Sequence, residues 1–182
     1  WLGAILGSLA RQGRDKLTFV LSPRLASFGE WVEQLIAESS GKEGTGILPV
    51  VGESLAAPHT YGADRLFVSL SLAGESSDQA ALDALQAAGH PVVRMEIEDV
   101  YDLGGQFFLW ELATAIAGYF LKINPFDQPN VEAAKVLARQ MVAAYKSSGV
   151  LPEQPPTLHS DGVSVYADQP AGSLGEALDQ FL

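Results

Sequence analysis

Cysteine is absent from the 182 residues, and histidine (3), methionine (2) and tryptophan (3) are scarce. Without a thiol the chain can form no disulfide, no thiolate nucleophile and no Cys-ligated metal site. The three histidines are too scattered to ligate zinc together. Basic residues are also few: 11 Lys and Arg face 22 Asp and Glu, for a net charge of -11. A surface of that sign repels phosphate backbones and anionic lipid, which argues against nucleic-acid and membrane partners. It does not disfavour a small anion held locally by backbone N–H groups or one Lys. No uncharged apolar run reaches the ~18 residues of a membrane span. The first residues, Trp1 to Leu6, have neither a Met nor the basic region of a signal peptide. Both ends read as the interior of helices, so the chain is expected to be a piece of a longer polypeptide. A thiol-free chain suits a reducing cytoplasm, which is the expected location.

What is present suffices for a folded core. Hydrophobic residues make up 47% and charged residues 18%, ordinary proportions for a globular chain and too apolar for a disordered one. Helical spacing runs through Leu2, Ile5, Leu6 and Leu9 and stops near Gly13. Apolar β-rich runs follow at 17–21, 47–51, 66–70 and 92–97, with a last one at 163–166. Between them, Ser22-Pro23 is expected to cap a helix reaching Gly41, and Ser76-Ser77-Asp78 to cap another ending at Gly89. Residues 105–121 read as a long, nearly buried apolar helix, and Pro129 opens a further one. The Pro- and Gly-rich stretch 149–162 reads as a loop or linker. Strands alternating with helices predict an α/β fold: three layers, a doubly wound, mostly parallel sheet with helices on both faces. The expected division is a sheet domain over 1–148 and a linker with a terminal strand and helix over 149–182.

Several motifs fail. Ser39-Ser40-Gly41-Lys42 hints at a phosphate loop, but Ile36 stands where its first Gly belongs. Gly44-Thr45-Gly46 precedes a strand instead of following one, and no Gly-x-Ser-x-Gly elbow occurs. Three candidates remain. Glu38 sits at the expected carboxy end of a helix, where the dipole disfavours its charge and makes it a better proton acceptor. The bland alternative is a solvated Glu in a fraying last turn. Gln128 lies at a helix mouth, and Lys135, two turns on, projects from nearly the same face; an amide and an ammonium there suit an oxygen-rich substrate. The alternative is a capped surface helix. His59 lies in a loop between strands and could exchange protons near neutral pH, or be structural. His90 and His159 have no partners at ligand spacing and take no role.

Two stretches resemble a known family. Gly118 to Lys135, with Phe126-Asp127-Gln128-Pro129-Asn130-Val131-Glu132 and Lys135 at its core, resembles the carboxy-terminal signature of phosphoglucose isomerases, Phe-Asp-Gln-x-Gly-Val-Glu-x-x-Lys. Asn130 replaces the Gly, a modest departure because Asn tolerates left-handed backbone; Phe120 replaces a smaller aliphatic. Glu38-Ser39-Ser40-Gly41-Lys42 resembles the Glu-Ser-x-Gly-Lys motif that carries the family's base. The whole chain looks like the second sugar-isomerase (SIS) domain, most like the isomerase half of bacterial transaldolase/phosphoglucose isomerase fusions. The resemblance implies interconversion of glucose 6-phosphate and fructose 6-phosphate in central carbohydrate metabolism. Glu38 would move the proton between C1 and C2 through a cis-enediol. Lys135 would assist ring opening, Gln128 would position substrate or water, and His59 would be the ring-opening histidine, although its surrounding motif is eroded. No cofactor or metal is implied. The phosphate-binding Ser/Thr loop and the stabilising Arg have no counterpart here, so the implied partner is an upstream SIS domain of the same polypeptide. Family members are usually homodimers that lend a residue across the interface. A non-catalytic SIS module that binds a sugar phosphate is the alternative; such a sensor has no use for both Glu38 and Lys135.

Overall fold

The computed structural model describes residues 1–75, 78–127 and 129–181, without the side chains of Pro129 and Asn130. The described residues divide into two compact units, Trp1–Gln128 and Pro129–Leu182. The first unit holds a parallel sheet of four strands: β1 (Lys16–Leu21), β2 (Leu48–Val50), β3 (Arg65–Leu72) and β4 (Val92–Ile97), in the order β2-β1-β3-β4. In register, Phe19 lies beside Val68, and Val68 beside Val93. Each strand sits within two residues of its apolar run. The central strands β1 and β3 are buried almost without a break, as a sheet covered on both faces needs, while the edge strands β2 and β4 expose residues such as Leu48, Arg94 and Glu96.

Alternation along β3 divides the core. Leu66, Val68, Leu70 and Leu72 face one side, with Leu17 and Phe19 of β1. That side carries α1 (Leu2–Ala10), α2 (Ala26–Ser40) and α4 (Leu103–Leu121), which contribute Leu6, Val32, Ile36 and Trp110. Phe67 and Val20 face the other side, where Leu82 and Leu85 of α3 (Gln79–Ala87) pack with Leu55 and Tyr61 from the loop after β2. Arg94 of β4 fixes α3 from the strand, through Asp83 at 2.8 Å and Gln86 at 2.6 Å. The fold is the three-layer α/β arrangement that the strand–helix alternation predicts.

Helices α1 and α4 approach unusually closely. A Cβ on Gly7 would lie 2.6 Å from the Phe120 Cβ and 2.9 Å from the Ala117 carbonyl oxygen. Gly therefore sets the helix separation, and any side chain there must push α1 off α4.

Three local expectations are corrected. Ser22 caps no helix; its Oγ accepts the Leu72 N–H at 2.9 Å and ties the end of β1 to β3. Pro23–Leu25 forms a short 3-10 turn before α2. The helix over 103–121 is not nearly buried: Trp110 is enclosed, but Phe108 is 68% exposed and Tyr119 is exposed with it. A helix this apolar all round meets α1, α2 and the sheet with one side only. Ser76 and Ser77 lie outside the described residues, and Asp78, at the N-cap of α3, makes no side-chain capping bond.

The second unit consists of α5 (Pro129–Ser148), an antiparallel pair of β5 (Leu158–Ser160) with β6 (Val163–Val165), and α6 (Leu174–Phe181). Helix α5, which the sequence groups with the sheet domain, falls here. Strand β5 lies within the stretch read as loop.

Candidate functional site

Helix α2 runs back toward the starts of the strands, and Glu38 lies in its last turn. The chain leaves α2 through a turn built on buried polar bonds. The Ser40 hydroxyl donates to the Ile36 carbonyl at 2.7 Å and accepts the Ile47 N–H at 2.9 Å. Ser40 thus fastens the helix end to the approach to β2. Between these residues, Lys42 and Thr45 exchange backbone bonds of 3.0 and 2.9 Å, with Glu43 and Gly44 at positive φ.

Glu38 is exposed and opens onto a cleft of about 350 Å³. Trp31, Gln34, Leu35 and Ser39 of α2 form one wall; Glu111 of α4 and Pro125 form the other. Gln34 Nε2 donates to Glu38 Oε1 at 3.3 Å and orients the carboxylate. Trp31 is braced beneath by Phe28 and by an edge-on contact with Phe107 at 4.4 Å between centroids. An aromatic face, an amide and two carboxylates are the groups that grip a polyol and move its protons. The cleft lies between helices of one layer, not beyond the strand ends where an open sheet favours ligands.

Pro125 reaches the cleft because α4 stops sharply. Lys122 turns left-handed (φ 63°, ψ 36°), and the Ile123 N–H returns to the Gly118 carbonyl at 3.1 Å. The next residues fold back over Gly118, where a Cβ would lie 2.8 Å from Pro125 Cδ. Gly118 is therefore required by the loop that carries the signature motif.

His59 stands elsewhere. It is exposed on the 3-10 turn Pro58–Thr60 and lines a separate cavity of about 540 Å³ with Arg14, Tyr61 and His90. His90 Nε2 lies 3.1 Å from the Pro58 carbonyl oxygen, and its ring meets Tyr61 and Phe67 edge-on. Gln128 lies outside the described residues. Lys135 is exposed on α5, in the second unit. Among the described residues, no group of three or more His, Asp and Glu could hold a metal ion. None of the described helices is long and apolar enough to cross a membrane.

The sequence alone does not single out Trp31, Gln34 and Glu111. Gln34 was findable from its position one turn before Glu38; Glu111 needed the packing of α4 beside α2.

No family model matches the chain. Curated relatives do. The glucose-6-phosphate isomerase of Enterococcus faecalis is 29% identical over 72% of this chain and 38% of its own length. That of Acholeplasma laidlawii is 31% identical over 74% of this chain and 41% of its own. The chain thus spans about two fifths of the length of the curated relatives it matches. Among solved structures, a hypothetical protein of Thermus thermophilus matches with TM-score 0.63 and 24% identity, over 78% of this chain and 44% of that one. A glucose-6-phosphate isomerase of Chlamydia trachomatis matches with TM-score 0.53 and 20% identity, over 80% and 38%. These likenesses show a shared fold. Over some 70% of its length, the chain is similar in sequence to part of the glucose-6-phosphate isomerases of Enterococcus faecalis and Acholeplasma laidlawii.

Proposed function

We propose that this chain is the carboxy-terminal part of a glucose-6-phosphate isomerase, an aldose–ketose isomerase acting through a cis-enediol. One observation supports this most: the two motifs that resemble the family meet on one cleft, Glu38 from the first and Pro125 from the second. Glu38 takes the proton from one of the two carbons C1 and C2 and returns it to the other. Lys135 contacts the ring oxygen, and Gln128 positions substrate or water. Residues 1–148 form the second SIS domain, and 149–182 a linker with the terminal hairpin and helix. The phosphate grip and the stabilising Arg come from an upstream SIS domain, and the exposed apolar face of α4, with Phe108, Leu112 and Tyr119, suits such a neighbour. The parent polypeptide is read as a cytoplasmic transaldolase fusion. His59, in a different cavity from Glu38, is read as the ring-opening residue lent to the site of a second copy.

The test is isomerase turnover of the 182 residues alone and joined to an upstream SIS domain. The joined form is expected to be active. The chain alone should be at least ~100-fold weaker, because it lacks the groups that stabilise the intermediate's charge. An inactive joined form would overturn the isomerase assignment. In the joined form, E38Q and H59Q are each expected to lose activity. Mixing and reassembling them should restore about a quarter of it, because a mixed dimer holds one site with neither change. No restoration would remove the exchange of His59 between copies.

A further inference from the structure

Lys42 follows Glu38 by four positions, yet it does not reach solvent. Its side chain is 5% exposed. Its Nζ donates to the Asn124 carbonyl at 2.8 Å, to the Asp127 carboxylate Oδ1 at 2.9 Å and to the Asp127 carbonyl. An ammonium has three N–H donors, and all three are taken by one short loop. Two acceptors are backbone carbonyls, so the contact holds the path of the main chain as well as a neighbouring charge. Lys42 itself is presented by the tight turn that exchanges bonds with Thr45. On the loop's other side, Pro125 rests on Gly118 of α4, and the Phe126 N–H donates to Asn124 Oδ1 at 3.1 Å. The loop is thus fixed from two directions, and Pro125 is a wall of the Glu38 cleft.

We propose that Lys42 is a positioning residue: its ammonium staples the end of the Glu38 helix to the Asn124–Asp127 loop and so sets the cleft between Glu38 and Pro125. It touches no substrate, because it is buried with every donor occupied. A phosphate-binding role, which Ser-Gly-Lys superficially suggests, would require Lys42 to abandon all three bonds. The same staple fixes the residue immediately before Gln128. The proposal rests on the isomerase assignment for its catalytic consequence but not for its structural one, and the two are tested apart.

In the 182-residue chain, hydrogen exchange of the Asn124, Phe126 and Asp127 amides reads the staple directly. K42M keeps the length and removes the donors; those amides are expected to exchange at least ~10-fold faster while β1 and β3 stay protected. Because the chain has no cysteine, K42C can be alkylated in urea with 2-bromoethylamine and refolded. This restores an ammonium at lysine length and should restore slow exchange, whereas alkylation with 1-bromopropane should not. D127N provides a second variant at a residue that is 49% exposed, and should speed exchange about threefold. In the joined, active form, K42M is expected to lower kcat by ~10- to 100-fold with KM within threefold, since positioning is lost and not binding. Unchanged exchange in both K42M and D127N overturns the staple, whatever the enzyme does. Faster exchange with kcat within twofold of wild type overturns the positioning role. An inactive wild type overturns the isomerase assignment and leaves the exchange result standing.

Discussion

The Glu38 cleft and the His59 cavity lie in the same unit, yet they are built by different means. The turn after Glu38 is fastened from inside. The Ser40 hydroxyl and the Lys42 ammonium are buried, and together they bond to Ile36, Ile47, Asn124 and Asp127. The turn that carries His59 relies more on exposed bonds: the Thr60 hydroxyl donates to the Ala57 carbonyl and the Ala56 N–H to the Tyr61 hydroxyl, and only the part-buried contact of His90 Nε2 with the Pro58 carbonyl reaches inward. Buried polar bonds fix a position because leaving them unmade is costly, while exposed ones are exchanged for water at little loss. On the proposed assignment, a carboxylate that must meet a carbon-bound proton needs the first kind of support, and a histidine lent to another copy can stand on the second.

The largest expected effect separates the two residues themselves. In the joined, active form, E38Q should lower kcat by ~1,000-fold or more, and H59Q by ~10- to 100-fold, because ring opening also proceeds unaided while carbon deprotonation does not. Equal losses would erase the distinction. A smaller effect tests the supports. S40A removes a buried donor–acceptor and should cost about 1–2 kcal/mol, while T60A should cost under ~0.5 kcal/mol; denaturant midpoints decide. The smallest concerns the amino ends of the central strands β1 and β3, where Lys16 and Asp64 pair at 2.9 Å. The Lys16 ammonium holds the Asp64 carboxyl below its usual 3.8, and Asp64 with Asp15 holds Lys16 above 10.5. Asp64 therefore contributes stability above its unfolded pKa, and this is lost as pH falls below about 4; the Lys16 share is lost as pH rises past about 10.5. Both groups are more than a third exposed, so D64N should cost under ~1 kcal/mol at pH 7 and progressively less as pH falls below about 4.

Much of the fold was legible because burial and periodicity are local in the sequence. The run 92–97 became β4 without adjustment, and Gly89 ended α3 with a left-handed φ of 91°. Glu38 was legible through its motif and took its expected place in the last turn of α2. Three features were not legible, each for a physical reason. Ser22 looks like a cap because capping is a local habit of serine, but Leu72, fifty positions away, claimed its oxygen. Lys42 reads as a surface or phosphate lysine until Asn124 and Asp127 are brought beside it. β5 is hidden in a Pro-rich stretch because a three-residue strand needs only its hairpin partner.

The seat of α1 on α4 has a consequence during synthesis. The helix formed by the first ten residues finds its main helical partner only when residues 103–121 have been made. Until then Leu2 and Leu6, later almost wholly enclosed, have no α4 surface to cover them. The sheet itself fills in order, β1 and β2, then β3 and β4, but the layer that seals it closes last, with its first and final helices together. A nascent chain arrested before α4 is therefore expected to present α1 to chaperones, and release of that binding should coincide with emergence of Trp110 and Ala117 from the ribosome.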